Sequence, residues 1–244
     1  MKRYGLIGYP LTHSFSQKYF SEKFLREGMM DHVYENFPIE SIAALPEVLS
    51  SHKDLLGLNV TIPYKKEVLS YLDESSPAVE LIGACNCIKI TEGKLSGFNT
   101  DVIGFEKSLR PFLKPEHSAA LILGTGGAAV AVAYVMQQLG IRYQYVSRQR
   151  ATNNITYADL DQQIIEEHTL IINTTPLGMY PAVNDCPPLP YEWLCSKHHC
   201  FDLIYNPVET VFLQKAAAQK ATVQNGAEML VIQAEESWRI WNEI

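Results

Sequence analysis

The sequence predicts an α/β protein of two units. The first carries a mixed, mostly parallel sheet; the second is doubly wound around a glycine-rich turn. Three observations point there. Short β-like runs alternate with amphipathic helical segments through most of the chain, the pattern of parallel strands covered on both faces. One stretch, CNCIKITEGKLSGFN, instead reads as two strands around Glu92-Gly93, a hairpin. A glycine-rich turn follows a buried strand near Gly124 and opens a helix.

Element by element, YGLIGY, HVYENFPI and LGLNVTI read as strands. SFSQKYFSEKFLREG, ending at Gly28, and ESIAALPEVLSSH read as helices between them. After Pro111 and Pro115 a second series begins with the strand AALILGTGG and the helix AAVAVAYVMQQLG, closed by Gly140. RYQYVSR is a strand, TYADLDQQIIEEH a helix, and TLIINTT and CFDLIYN are strands. TVFLQKAAAQK is a helix, ATVQN a strand, and GAEMLVIQAEESWRIWNEI a final helix with two tryptophans on its apolar side. The two α/β units meet near residue 101.

A chain of 244 residues suffices for two modest cores, and 47% hydrophobic with 19% charged residues excludes a disordered protein. Twenty basic against 27 acidic residues give a net charge of −7, which disfavours non-specific nucleic-acid binding but leaves room for a local phosphate pocket. The longest apolar stretch, near Ala128–Met136, is well short of the roughly 20 residues a bilayer requires. The opening apolar run is broken by Gly5, Gly8 and Pro10, which speaks against a signal peptide. Five cysteines (Cys85, Cys87, Cys186, Cys195, Cys200) without framework spacing read as free thiols of a cytoplasmic protein. Cys195 and Cys200 flank two histidines, but one ends a helix-like stretch and the other begins a strand, so no metal site is expected. Cys85 and Cys87 are expected to share one strand face as packing residues.

Gly124-Thr125-Gly126-Gly127-Ala128-Ala129 fits G-x-G-x-x-A in the strand-to-helix context that gives the pattern meaning. Gly124 permits the tight turn, Gly126 lets a pyrophosphate approach the backbone, and Ala129 keeps the helix against the sheet. The helix amino end adds free N–H groups and a positive dipole. The next strand decides which dinucleotide binds. An NAD site places Asp or Glu about 20 residues on, for the ribose hydroxyls. Here Ser147-Arg148-Gln149-Arg150 contains no acid, and a hydroxyl with two guanidinium groups suits a ribose phosphate. Simply solvated arginines would not account for the missing acid, whose absence also argues against S-adenosylmethionine. NADP is the expected cofactor.

Three constellations in the first unit exceed what scaffolding needs. Ser14 and Ser16 stand where a strand ends and a helix begins; one serine could be only a helix cap, but two make a corner for a carboxylate. Pro63 is expected in the first turn of a helix, with Lys65 just inside it, where the dipole disfavours the ammonium and suits it to proton transfer. Gly97-Phe98-Asn99-Thr100-Asp101 leads between the units, with Asp101 expected at a cleft between them.

Together these segments resemble the shikimate dehydrogenase family, over essentially the whole chain. The family pattern G-x-P-x-x-H-S-x-S matches Gly8 to Ser16, N-V-T-x-P-x-K matches Asn59 to Lys65, G-A-x-N matches Gly83 to Asn86, and G-x-N-T-D matches Gly97 to Asp101. Asn173 to Met179 looks like the family's segment beneath the nicotinamide, Asp202 to Pro207 resembles D-x-x-Y-x-P, and Gly226 to Gln233 resembles G-x-x-M-L-x-x-Q. Gln17 replaces a usual Pro, Cys87 a usual Thr, and Ser147-Arg148-Gln149 the usual N-R-T or N-R-S.

The resemblance implies reversible NADPH-dependent reduction of 3-dehydroshikimate to shikimate in aromatic amino-acid biosynthesis. By position, Ser14 and Ser16 would hold the substrate carboxylate. Thr61, Asn86, Asp101 and Gln233 would hydrogen-bond the ring hydroxyls, with Tyr205 nearby, and Lys65 and Asp101 would form the catalytic pair. Asn173, Thr174, Met179 and Gly226 would join the glycine-rich turn at the cofactor. Residues 1–101, completed by the helix 226–244, would form the substrate domain, and 102–225 a Rossmann-like NADP domain. His13, in the serine motif, is read either as shaping its loop or as taking a direct part in catalysis. The alternatives are a quinate/shikimate dehydrogenase accepting NAD, and a nucleotide-binding regulatory module without turnover. The partner expected is the small-molecule substrate, the assembly a monomer or homodimer.

Overall fold

The computed structural model describes residues 1–11 and 14–243, so the reading of His13 lies outside the described residues. The chain divides into two compact units, Met1–Ile103 with Gln233–Ile244, and Gly104–Ile232.

In the first unit, β1 (Lys2–Gly8) pairs in parallel with β2 (His32–Pro38) on one side and β3 (Leu55–Val60) on the other. The sheet continues β5 (Cys87–Thr91), β6 (Lys94–Phe98) and the two-residue edge strand β4 (Glu74–Ser75). β5 is antiparallel to both β3 and β6, the expected hairpin. Its turn residues Glu92 and Gly93 have φ of 52° and 82°, the left-handed pair that a tight two-residue hairpin loop demands.

Strand alternation divides the side chains between two cores. Tyr4 and Leu6 of β1 pack with Phe20 and Phe24 of α1 (Phe15–Arg26) and Trp241 of α8 (Ala227–Asn242). Ile7 faces the other way, with Leu58, Val60, Ile88 and Leu45 of α2 (Leu45–Ser51). Cys85 belongs to this second core and Cys87 to the first. The shared face expected for them does not exist, because Cys85 precedes β5 instead of lying in it. The segment expected as one helix over ESIAALPEVLSSH is a 3-10 turn, Ile42–Ala44, followed by α2. Pro46 has no N–H to continue a ladder and instead sits in the first turn of a new helix. α3 (Pro77–Ile82) ends at left-handed Gly83, and α4 (Thr100–Leu109) leaves β6 at Asn99.

The second unit is an all-parallel sheet in the order β9-β8-β7-β10-β11-β12. These are β7 (Ala119–Leu123), β8 (Arg142–Ser147), β9 (Asn154–Thr156), β10 (Leu170–Asn173), β11 (His199–Asp202) and β12 (Thr222–Gln224). This is the doubly wound order whose switch point lies between β7 and β10, beside the first βα turn. Every side chain of β7 is buried, as a central parallel strand covered on both faces requires. α5 (Gly127–Gln138), α6 (Gln162–Glu167) and α7 (Val211–Ala218) supply the cover.

The helix expected over TYADLDQQIIEEH is only its second half. Asp159 reaches back to the N–H and hydroxyl of Thr156, both at 2.7 Å, closing a short 3-10 turn after β9. α6 starts afresh with Asp161 capping Ile164. Among the described residues no helix is long and apolar enough to cross a membrane.

Candidate active site

In the first unit, Thr61 follows β3 and its N–H still reaches Ile7 O at 3.0 Å. The chain then turns through Ile62–Lys66 before a 3-10 helix, Glu67–Tyr71. Lys65 is therefore not inside a helix, and the expected dipole argument does not apply to it. The cause is a long-range bond. Cys85 N–H donates to Lys65 O at 2.7 Å, withdrawing that carbonyl from any helical ladder, while the Tyr64 hydroxyl donates to Ile39 O at 2.6 Å. The turn is thus fixed at both its backbone and its neighbouring side chain.

Lys65 Nζ donates to Asp101 Oδ2 at 2.7 Å, with the two side chains 33% and 25% exposed. Asp101 stands in the first turn of α4, where a carboxylate is favoured by the free N–H groups. A cation and an anion in contact, both still reachable, can hold a hydroxyl and exchange a proton with it.

Around this pair lies a buried polar network. Asn86 Oδ1 accepts from Thr100 N–H at 2.7 Å, and the Thr100 hydroxyl meets Gln233 Oε1 at 3.3 Å. Ser237 Oγ donates to Gln233 O at 2.9 Å and accepts from Asn59 Nδ2 at 3.0 Å. Asn59 Oδ1 in turn accepts from the Tyr34 hydroxyl at 2.8 Å, which lies beside Ser16. Ser14 Oγ accepts from Gln17 N–H at 3.1 Å, so it does cap α1, and its own hydrogen stays available to an acceptor. The sequence reading named Asn86 and Gln233 but missed Tyr34, Thr100 and Ser237. Thr100 stood in a recognised motif; Tyr34 and Ser237 gave no local signal.

In the second unit a cleft of about 830 Å³ opens over the glycine-rich turn, lined among others by Gly124, Thr125, Gly126, Ser147, Arg148, Arg150 and Thr174. Gly124 has φ +104°, and a Cβ there would stand 2.8 Å from Thr174 Oγ1. A Cβ on Gly126 or Gly127 would meet nothing within 4 Å, so the backbone at the start of α5 is open to a ligand. Ala128 is exposed and Ala129 fully buried against the sheet. Thr174 is tied to β7 by its hydroxyl, 2.6 Å from Leu123 O. Asn154 and Tyr157 also line the cleft, the first in a stretch without a sequence pattern and the second at the start of the expected helix.

Several residues expected at the cofactor also have partners within the protein. Arg150 is ion-paired with Asp159, so its guanidinium is partly committed to the protein, while Arg148 is exposed with no ion pair among the described residues. Ser147 Oγ donates to Gln149 O at 2.5 Å and accepts from Asn154 Nδ2 at 2.7 Å, bracing the loop. Asn173 is fully buried. It donates to Asp202 Oδ1 at 3.0 Å and accepts from Thr175 N–H and Oγ1, so its side chain braces the segment that enters the cleft wall. Asp202 also accepts from Ile204 N–H and the Thr210 hydroxyl, and burial pushes its carboxyl up to about 6. Gly226 and Met179 are outside the cleft lining. A Cβ on Gly226 would fall 2.2 Å from Leu203 O, so the glycine answers a backbone crowding. Tyr205 is 44% exposed in the second unit.

The exposed cradle of Gly126 and Gly127, the amino end of α5 and the unpaired Arg148 fit a dinucleotide bearing a ribose phosphate. Cys195 is exposed and Cys200 wholly buried, and no group of three metal-ligating side chains is found among the described residues.

A family model described as the shikimate dehydrogenase substrate binding domain matches residues 6–88. A shikimate dehydrogenase (NADP(+)) of Clostridium beijerinckii is 38% identical, covering 100% of this chain and 93% of the relative. The solved shikimate 5-dehydrogenase of Thermus thermophilus, in complex with NADP(H) and shikimate, matches with TM-score 0.87 and 31% identity over 100% of this chain and 94% of that one. The enzyme of Listeria monocytogenes, in complex with shikimate and NAD, matches with TM-score 0.90 and 27% identity over 99% and 91%. With identity above 30% sustained along its whole length and the motif residues set as described, the chain belongs to the shikimate dehydrogenase family.

Proposed function

We propose that this protein is an NADP-dependent oxidoreductase that interconverts 3-dehydroshikimate and shikimate, a step of aromatic amino-acid biosynthesis. The observation that carries the reading is the Lys65–Asp101 contact of 2.7 Å, held on a turn and a helix start that other parts of the first unit fix independently. NADP, when bound over Gly126 and Gly127 with Arg148 at its ribose phosphate, supplies or takes the hydride. The chain's part is the oxygen. Negative charge develops on the ring oxygen as the carbonyl is reduced, and the Lys65 ammonium neutralises it by donating a proton. In the reverse direction the neutral amine takes that proton back. Asp101 keeps the lysine in place and accepts from a neighbouring hydroxyl.

The hydroxyls of Ser14 and Ser16 suit the substrate carboxylate, and Thr61 with the amides of Asn86 and Gln233 suits its ring hydroxyls. Tyr205 is a further contact in this reading.

A second reading, with NAD also accepted, draws on the engagement of Arg150 by Asp159, which leaves one arginine for the phosphate. The test is the near-ultraviolet absorbance of reduced cofactor with purified protein, using shikimate or quinate with NADP or NAD. Turnover confined to shikimate and NADP is the expected result; comparable rates with quinate or NAD would move the assignment to a broader dehydrogenase. Cofactor binding without turnover of either substrate would overturn the catalytic reading.

A further inference from the structure

Thr100 is wholly buried and touches two nearly buried amides, Asn86 and Gln233, which are 3% and 8% exposed. It meets them through different groups. Its backbone N–H donates to Asn86 Oδ1 at 2.7 Å. Its hydroxyl lies 3.3 Å from Gln233 Oε1, from Asn86 Oδ1 and from Ser237 Oγ. The Ser237 hydroxyl donates to Gln233 O at 2.9 Å and receives Asn59 Nδ2 at 3.0 Å. Asn86 Oδ1 already has an N–H partner. Gln233 Oε1 has no other donor among the described residues, so the one hydrogen on Thr100 Oγ1 goes to the Gln233 side-chain carbonyl. The amide oxygens of both side chains thus face Thr100, and neither NH2 group has a partner among the described residues.

We infer that Thr100 is a positioning residue for substrate recognition: its hydroxyl fixes the Gln233 amide so that, with Asn86, it presents N–H donors to oxygen acceptors on the substrate ring. This rests on the proposed function and adds a polarity to it. The pair recognises ring oxygens as acceptors, leaving Asp101 as the acceptor for a substrate O–H. A buried threonine preceding the catalytic aspartate is then more than a helix start. It sets which way round a neighbouring amide reads the ligand.

The test compares Thr100→Val, Thr100→Ser, Gln233→Ala and the double variant Thr100→Val/Gln233→Ala in steady-state kinetics with shikimate and NADP. Valine keeps the shape and the backbone N–H but removes the hydroxyl. Loss of one neutral hydrogen bond predicts a roughly three- to tenfold rise in KM for shikimate, with kcat and KM for NADP nearly unchanged. Serine should restore most of the affinity. In the Gln233→Ala background the valine substitution should add nothing, since its effect passes through that amide.

An equal penalty with and without Gln233, or a serine variant as impaired as the valine one, would overturn the inference. So would an unchanged KM in Thr100→Val. Absence of shikimate turnover in the unmodified protein would instead remove the functional reading, and this inference with it.

Discussion

Arg148→Ala isolates the reading of the ribose phosphate. Arg148 is exposed at the lip of the cleft and has no ion-pair partner among the described residues, whereas Arg150 is paired with Asp159. Asp159 is itself held by Thr156, so the Arg150 side chain is drawn toward β9 although it stays 66% exposed. A charge-assisted hydrogen bond contributes about 1.5–3 kcal/mol, which is roughly 10- to 150-fold in affinity. Arg148→Ala should therefore raise KM for NADP by that factor and leave kinetics with NAD unchanged, because NAD lacks the phosphate. Arg150→Ala should cost less than about fivefold, as expected when an exposed ion pair is the main thing lost. The assay is initial rate against each cofactor at saturating shikimate. Equal losses with NADP and NAD, or a larger effect at Arg150, would refute the division of labour between the two arginines.

Lys65→Ala and Asp101→Asn should each lower kcat by roughly 10²- to 10⁴-fold while NADP still binds, which fluorescence titration of the cofactor would check. In the second unit, burial lowers His199 to about 4 and raises Asp202 to about 6. His199 contributes full stability above about 6.5 and loses it as pH falls towards 4; His117, lowered in the same sense, adds to this. Asp202 contributes most below about 3.8 and loses it as pH rises through 6, so the two slopes oppose each other. Asp202→Asn should unmask the first slope and His199→Gln the second, each about 3 kcal/mol in the unfolding free energy from denaturant titrations between pH 4 and 7. Gly57→Ala would put a Cβ 2.3 Å from Trp241 Nε1. It should destabilise the protein by about 1–3 kcal/mol, seen as a lower thermal midpoint.

What the sequence made legible is what depends on neighbours along the chain. The hairpin at Glu92-Gly93, the glycine-rich turn before α5 and the capping by Ser14 follow from local patterns. What the local pattern did not give was decided by partners outside it. Cys85 takes the Lys65 carbonyl, so a proline-led helix start became a turn. Asp159 takes Arg150, and Asp202 takes Asn173, so two residue types well suited to a cofactor were drawn into the protein's own framework. The weak, three-residue β9 lies just before the expected helix, in a short polar stretch without a strand pattern of its own, and only its pairing with β8 identifies it. The Thr100–Gln233 contact spans 133 positions and has no local signature at all.

The aromatic packing on the final helix has an optical consequence. Of the three tryptophans, Trp238 and Trp241 lie in the first unit, with Trp241 ring-stacked 5.0 Å from Tyr4, whereas Trp193 packs at the core of the second. Emission from the unmodified protein therefore sums two separate reporters. A Trp193→Phe variant would leave fluorescence that follows the substrate-type unit alone. Comparison with circular dichroism, which sees both units, then reveals whether they melt together or one after the other.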